Sequence, residues 1–268
     1  MSVISINDLS FKYGDKEILK DINFKVKVPS LISFIAPNNG GKTTFIKCLS
    51  GVVPTDGEIS IDEDTLNKKT IRKYSRSIGT IFSLDNKQFL FGKVIDEVSF
   101  PLYNLNYSKK KIKQQVNKIK KLLFLQDILN KSISDLTEFE KIKVLLATTI
   151  IYEPKVLLLD DILTTLSTED KERVLLMLRK IIKELKLIVI MTTSDLEEAI
   201  YSDALLILNE GTIVYSGRLK DILEHDNTLT RIGIEIPVMM DMSLKLKFYN
   251  LLDKVILNEE EMVDTLWD

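Results

Sequence analysis

The stretch that decides the reading is Ile35 to Thr44, IAPNNGGKTT. It closes a short apolar run, LISFIA (31–36), and gives way to KTTFIKCLSGV, where Phe45, Ile46 and Leu49 recur at helical spacing. Strand, glycine loop, helix is the context in which a chain can cradle phosphate, because amides at the head of the helix and its dipole face the anion. The pattern G-x-x-x-x-G-K-[ST] fits at Ala36, Gly41, Lys42 and Thr43, with Ala36 in place of the first glycine. Asn39 stands where a third glycine is usual. Asn tolerates a left-handed backbone, and Ala36 would cost roughly 1–2 kcal/mol only if its φ were positive. The loop therefore reads as still able to bind. The cradle would run through Asn38, Asn39, Gly40, Gly41 and Thr44, with Lys42 on the β- and γ-phosphates and the Thr43 hydroxyl on Mg2+.

Outward from this loop the chain reads as an ordinary soluble protein. Its 268 residues are 45% hydrophobic and 28% charged, with a net charge of −2. That balance lacks the basic field of a nucleic-acid binder. A single cysteine, Cys48, excludes an internal disulfide framework and fits a reducing compartment. The Met1 end shows no cationic start followed by an apolar block, and no run of about 18 apolar residues occurs. A cytosolic chain is expected, any membrane role coming through partners.

Further strands are expected at 3–11, 22–26, 57–62 and 76–82, and a helical pattern from about Ser108 to Thr149. Ile112, Val116, Ile119 and Leu123 form its apolar face, and seven lysines in KKKIKQQVNKIKK (109–121) read as its solvated face. KVLLLDD (155–161) and KLIVIMTTSD (186–195) are continuously apolar, as strands buried in a parallel sheet are. A helix is expected near Glu169 to Leu185, and a hairpin over 204–217 turning at Asn209-Glu210-Gly211. Short helices broken around Pro237 follow. The alternation implies an α/β fold with a helical insertion and a small C-terminal appendage. Together with the glycine loop it resembles a P-loop NTPase, which implies a mostly parallel core sheet and an N-terminal antiparallel region. Asp160 and Asp161, ending the VLLLDD strand, suit a water-mediated magnesium ligand and a base that polarises an attacking water.

These segments in this order resemble the ATP-binding cassette (ABC) family, most of all the ATPase subunits of energy-coupling-factor (ECF) importers. Tyr13 in FKYGDKEILKDI matches the aromatic that stacks on adenine, and APNNGGKTT matches the Walker A loop. DNKQFLFGKVIDEVSFPL (85–102) resembles the ECF segment after the Q-loop. LTEFEKIKV falls at the signature, VLLLDD at Walker B, TTLST (164–168) at the D-loop and TTSDLEEA (192–199) at the switch. The resemblance implies a nucleotide-binding domain over 1–217, with a helical subdomain at about 84–150. Residues 218–268 would form an appendage and a candidate dimer contact. It also implies ATP and Mg2+, and hydrolysis that drives uptake of a small solute from the cytoplasmic face of a membrane. The implied partners are a second ABC ATPase subunit, a transmembrane coupling protein docked near Ser83 to Phe100, and a substrate-binding membrane protein. No nucleic acid is expected.

The departures are as informative. Ser83 stands at the Q-loop glutamine that touches Mg2+, Asp161 at the catalytic glutamate, Ser194 at the switch histidine and Ser167 at the D-loop aspartate. Asp161 and Ser194 are thus the expected catalytic pair, and Thr43, Ser83 and Asp160 the expected metal ligands. A displacement of about 1 Å can lower a rate on the order of 100-fold. The signature reads Leu136-Thr137-Glu138-Phe139-Glu140. Glu138 and Phe139 would add bulk over a partner's γ-phosphate, and like charges about 4 Å apart repel by at most about 4 kcal/mol at an effective dielectric of 20. Two such chains would make two poor sites, so a heterodimer is expected. A subunit that binds nucleotide but is impaired in hydrolysis is the alternative. His225 reads as a surface residue, Cys48 as packing, Met239, Met240 and Met242 as core fillers at an interface, and Trp267 as a tail anchor or a mobile end.

Overall fold

The computed structural model describes residues 3–82, 89–225 and 228–267, without the side chains of His225 and Trp267. The expectations for Ser83, and for the side chains of His225 and Trp267, lie outside the described residues.

Strand β1 (Ile4–Tyr13) pairs with β2 (Lys16–Val26) and with β4 (Asp56–Ile61), and the two-residue β5 (Asp64–Thr65) completes an antiparallel sheet in the order β2-β1-β4-β5. The central sheet is built from β3 (Leu31–Ile35), β6 (Ile78–Ile81), β7 (Val156–Asp160), β8 (Ile188–Thr193), β9 (Ala204–Asn209) and β10 (Thr212–Gly217), in the order β10-β9-β3-β8-β7-β6. All pairs are parallel except β9 with β10. The expected hairpin turn is present, with Glu210 and Gly211 both at positive φ, 49° and 87°, as a two-residue connection between twisted strands requires.

Strand alternation sorts the apolar runs onto two faces. Val156, Leu158, Ile188 and Ile190 enter a core shared with β1, β2 and helix α1 (Lys42–Leu49). Leu157, Leu159, Val189 and Met191 enter the other, against the helices. Burial on both sides explains why these strands read as continuous apolar segments. By the same parity Asp160 and Thr192 continue the face that carries α1.

Helix α2 (Ile71–Tyr74) precedes β6. The helical region holds α3 (Val94–Asn104), α4 (Lys109–Leu122) and α5 (Glu138–Ile150). Helix thus begins before the expected Ser108, because Pro101 sits inside α3 and masks a pattern it would ordinarily break. The single helical stretch expected to Thr149 is interrupted between Leu122 and Glu138. On α4, Ile112, Val116 and Ile119 are buried and the lysines lie outward, a solvated face as expected.

After α6 (Thr168–Leu185) and α7 (Leu196–Ala199) come α8 (Leu219–His225), α9 (Thr228–Arg231), α10 (Val238–Phe248) and α11 (Glu259–Trp267). Leu219, Ile222, Leu229, Ile234 and Met240 cover Ile35, Leu205 and Ile207 of the sheet. Met240 is fully buried, but Met242 is 41% exposed and fills no core, because residues two apart on a helix point about 200° apart. Among the described residues no helix is long and apolar enough to cross a membrane.

Candidate functional site

The phosphate loop leaves β3 and enters α1 at its N-cap Gly41, φ 101°. Asn39 holds the left-handed conformation, φ 61°, and Ala36 takes no positive φ. The two missing glycines therefore cost little: Asn39 is the type that tolerates its backbone and Ala36 bears no strain. Gly40 is different. Its N–H donates to Pro37 O at 2.9 Å, and a Cβ there would stand 2.8 Å from that same carbonyl oxygen. Behind the loop, Phe34 and Phe45 stack at 4.0 Å between β3 and α1. Cys48 is fully buried, and burial pushes its thiol up to about 12, which leaves it inert packing.

Lys42 is buried, with 7% of its surface exposed. Its ammonium donates to Ser194 Oγ at 2.9 Å and to Ala36 O at 3.3 Å, and Asp161 Oδ2 lies 3.9 Å away. A buried ammonium needs such partners, and the three come from the ends of β3, β7 and β8. The sheet thus brings Lys42, Asp161 and Ser194 together.

Asp160 is 2% exposed. In the β7–β8 register it faces Thr192, whose hydroxyl donates to Asp160 Oδ1 at 2.9 Å. The Thr192 hydroxyl oxygen in turn accepts from Asp161 N–H at 3.0 Å. Asp161 turns out of the strand with φ 47°. Burial pushes its carboxyl above the ordinary value; Lys42 pulls it down, and the Asp160 and Glu198 carboxylates push it further up. After Ser194, Asp195 caps α7 through Glu197 N–H at 2.9 Å. Lys171 ties Asp195 and Glu198 together at 3.3 and 2.8 Å, which anchors the segment after Ser194 to α6.

A cavity of about 600 Å³ opens over Lys42 and Asp161, lined by Asn38 to Thr44, Ile18 and Asp161; Asp160 and Ser194 do not line it. All seven expected loop residues line it. Tyr13 does not; it lies at the end of β1, 51% exposed, with its ring edge-on to Phe11 at 4.7 Å. The donor set fits a polyphosphate: the loop that enters α1 lines the cavity from Asn38 to Thr44, two of its residues are glycines, and Lys42 supplies a buried cation.

The degenerate signature takes a form of its own. Thr137 caps α5 and forms a capping box with Glu140. Thr137 N–H donates to the Glu140 carboxyl at 2.9 Å, and this, with Lys131 nearby, holds that carboxyl below its ordinary value. Glu138 stays outward, paired with Lys141 at 2.7 Å. Phe139, expected to add bulk over a partner's phosphate, turns inward instead and is 9% exposed. The reason is packing: its ring joins the helical core and takes the Arg173 guanidinium at 4.0 Å.

Sequence reasoning missed Ile18 and Thr192. An isoleucine on an alternating strand carries no signal for a cavity wall. Thr192 was readable only by setting the ends of VLLLDD and IVIMTTSD side by side.

The ABC transporter family matches residues 19–164, more than half of the chain. The energy-coupling factor transporter ATP-binding protein EcfA1 of Streptococcus pneumoniae is 29% identical, over 100% of this chain and 98% of that protein. A putative ABC transporter ATP-binding protein of Pyrococcus abyssi is 27% identical over 98% and 97% of the two chains. Among solved structures, CbiO1 from Clostridium perfringens, described as part of the ABC transporter complex CbiONQ, superposes with a TM-score of 0.78 at 25% identity. That match covers 87% of this chain and 95% of that one. Similarity that runs from the first strand into the tail is more than a shared loop: the chain belongs to the ABC transporter family, as an ATPase of the energy-coupling-factor type.

Proposed function

We propose that this chain couples ATP binding and hydrolysis to uptake of a small solute, as one half of a heterodimeric pair of ABC ATPases on the cytoplasmic face of a membrane. One observation carries the reading: Lys42 is buried at the floor of the cavity with Ser194 and Asp161 within 3.9 Å of its ammonium. In this reading the loop amides and Lys42 hold the triphosphate. Asp161 aligns and deprotonates the attacking water, and the Ser194 hydroxyl donates to the transferring phosphoryl oxygens. Tyr13 stacks on the base. The oxygen donors Thr43 and Asp160 suit Mg2+, which binds through one or two protein oxygens plus the substrate's phosphates. When bound, the ion neutralises charge on the β- and γ-oxygens.

The partners in this reading are a second, more intact ABC ATPase, a transmembrane coupling protein docked on the surface near residues 83–100, and a separate membrane protein that recognises the solute. The sequence similarity to EcfA1 and the likeness to CbiO1 support such an assembly.

A second reading has its own support. Asp161 is one methylene shorter than glutamate and lies against Lys42, and the signature of this chain has turned its Phe139 inward. A subunit so altered would bind nucleotide while its partner turns over. The two separate in the purified transporter complex carrying Lys42→Ala in this chain. Loss of phosphate release and of solute uptake supports the first reading; retention of both removes the enzymatic role and leaves the second.

A further inference from the structure

Thr192 is 1% exposed and lies on β8 two residues before Ser194. Its hydroxyl has one proton to give. Asp160 Oδ1 at 2.9 Å takes it in preference to Leu159 O, which is 3.5 Å away. Its lone pair accepts from Asp161 N–H at 3.0 Å. One oxygen atom therefore touches both acids at the end of β7. A β-branched side chain has few staggered positions open to it, so β8 restricts where this oxygen can stand.

This arrangement has two consequences. Asp160 Oδ1 is engaged, which orients the carboxyl and leaves its other oxygen as the better acceptor for a cation. Asp161 leaves the strand at φ 47°, and the hydroxyl receives the N–H that β8's backbone can no longer take. Asp161 is thereby set with its carboxylate 3.9 Å from Lys42. Leucine or valine, the ordinary filling of a parallel strand, would provide neither bond.

We propose that Thr192 is a positioning residue for this site: it orients Asp160 toward the divalent cation and holds Asp161 in its left-handed turn. The inference rests on the reading of the cavity as a site for magnesium and ATP. Its side chain touches neither ligand and acts only through the two aspartates.

The test is calorimetric titration of the full-length chain with ATP, with and without Mg2+, for wild type, Thr192→Val and Thr192→Ser. Thermal melts of all three run beside it. Valine keeps the shape and removes both bonds; serine keeps the hydroxyl. The expected result is that Thr192→Val lowers the gain in ATP affinity due to Mg2+ about tenfold, the loss typical of a group that orients a metal ligand. Affinity without Mg2+ should stay within about twofold of wild type, and Thr192→Ser should recover most of the gain. Three results overturn the proposal. One is an unchanged Mg2+ gain in Thr192→Val. Another is an equal loss with and without Mg2+, as a merely structural role would produce. The third is a serine variant as poor as valine. If the wild-type chain binds no ATP under either condition, the nucleotide reading falls and takes this one with it, whereas wild-type binding with unaltered variants sinks the role of Thr192 alone.

Discussion

Phe139 and Arg173 stack 4.0 Å apart, a contact that joins the first turn of α5 to α6. The ring is buried among the helical core, and Arg173 is held in turn by Asp170 at 2.8 Å. Losing a buried phenylalanine leaves a cavity as well as a transfer loss, so Phe139→Ala should destabilise the fold by about 3 kcal/mol. Arg173→Ala removes a half-exposed cation–π contact and should cost about 0.5–1 kcal/mol. Urea unfolding of the two variants measures both. Equal effects would mean that the ring contributes nothing by its burial.

The loop glycines and their replacements make unequal demands. On Gly40 an added methyl would meet Pro37 O at 2.8 Å, and that carbonyl also accepts the Gly40 N–H. Neither group can yield without opening the turn. Gly40→Ala should weaken ATP binding at least tenfold, or about 1.4 kcal/mol. Ala36→Gly, which brings the loop nearer to the common pattern, should leave affinity unchanged and lower stability by about 0.5–1 kcal/mol, since Ala36 has no positive φ to relieve. Calorimetry on the two variants checks the contrast.

What the sequence revealed, and what it concealed, follows from the range of the forces involved. The parallel strands were legible because burial on both faces leaves no polar alternation, as in VLLLD and IVIMTT. Asn39 was legible because a left-handed backbone is a local property. Helix α3 was not, since Pro101 contradicts its helical period although packing retains it. The inward turn of Phe139 follows from the helical core it joins, whose members, like Arg173 over its ring, are remote in sequence, and no pattern within LTEFE announces it. The bridge from Thr192 to both aspartates exists only through strand register. Local chemistry could be read directly; contacts set by the pairing of distant elements could not.

Tyr13 stands apart from the cavity lining, 51% exposed, with its edge against Phe11. If one face of its ring receives adenine, stacking should contribute about 1–3 kcal/mol, the range seen for bases on aromatic side chains. Tyr13→Ala should then weaken ATP binding about tenfold at unchanged melting temperature, whereas Tyr13→Phe keeps the ring and should bind as wild type. Equal affinity in all three proteins would remove Tyr13 from the site. The phosphate loop would then carry the binding without help from the base.

The raised carboxyl of Asp161 makes a statement about stability and pH. Burial is the leading cause, with Lys42 opposing it and Asp160 and Glu198 adding to it. A group whose folded value lies above its unfolded one binds its proton more tightly in the folded chain. Between the ordinary carboxyl value and the raised one, the folded state holds more protons, so its stability falls as pH climbs through that window. Above the window the charged Asp161 remains a net cost. Asp161→Asn removes that ionisation while keeping the shape. The variant should therefore be more stable than wild type at pH 7, with the difference shrinking as pH falls and vanishing below the ordinary carboxyl value near 4. In the assembled transporter the same change should abolish any turnover that depends on this site, because an amide takes no proton from water. Urea unfolding at pH 7 and pH 4 decides the first part. A less stable variant at pH 7 would mean that the contact with Lys42 at 3.9 Å outweighs burial, reversing the sign. Greater stability together with lost turnover would identify Asp161 as a charge that the fold tolerates for its chemistry.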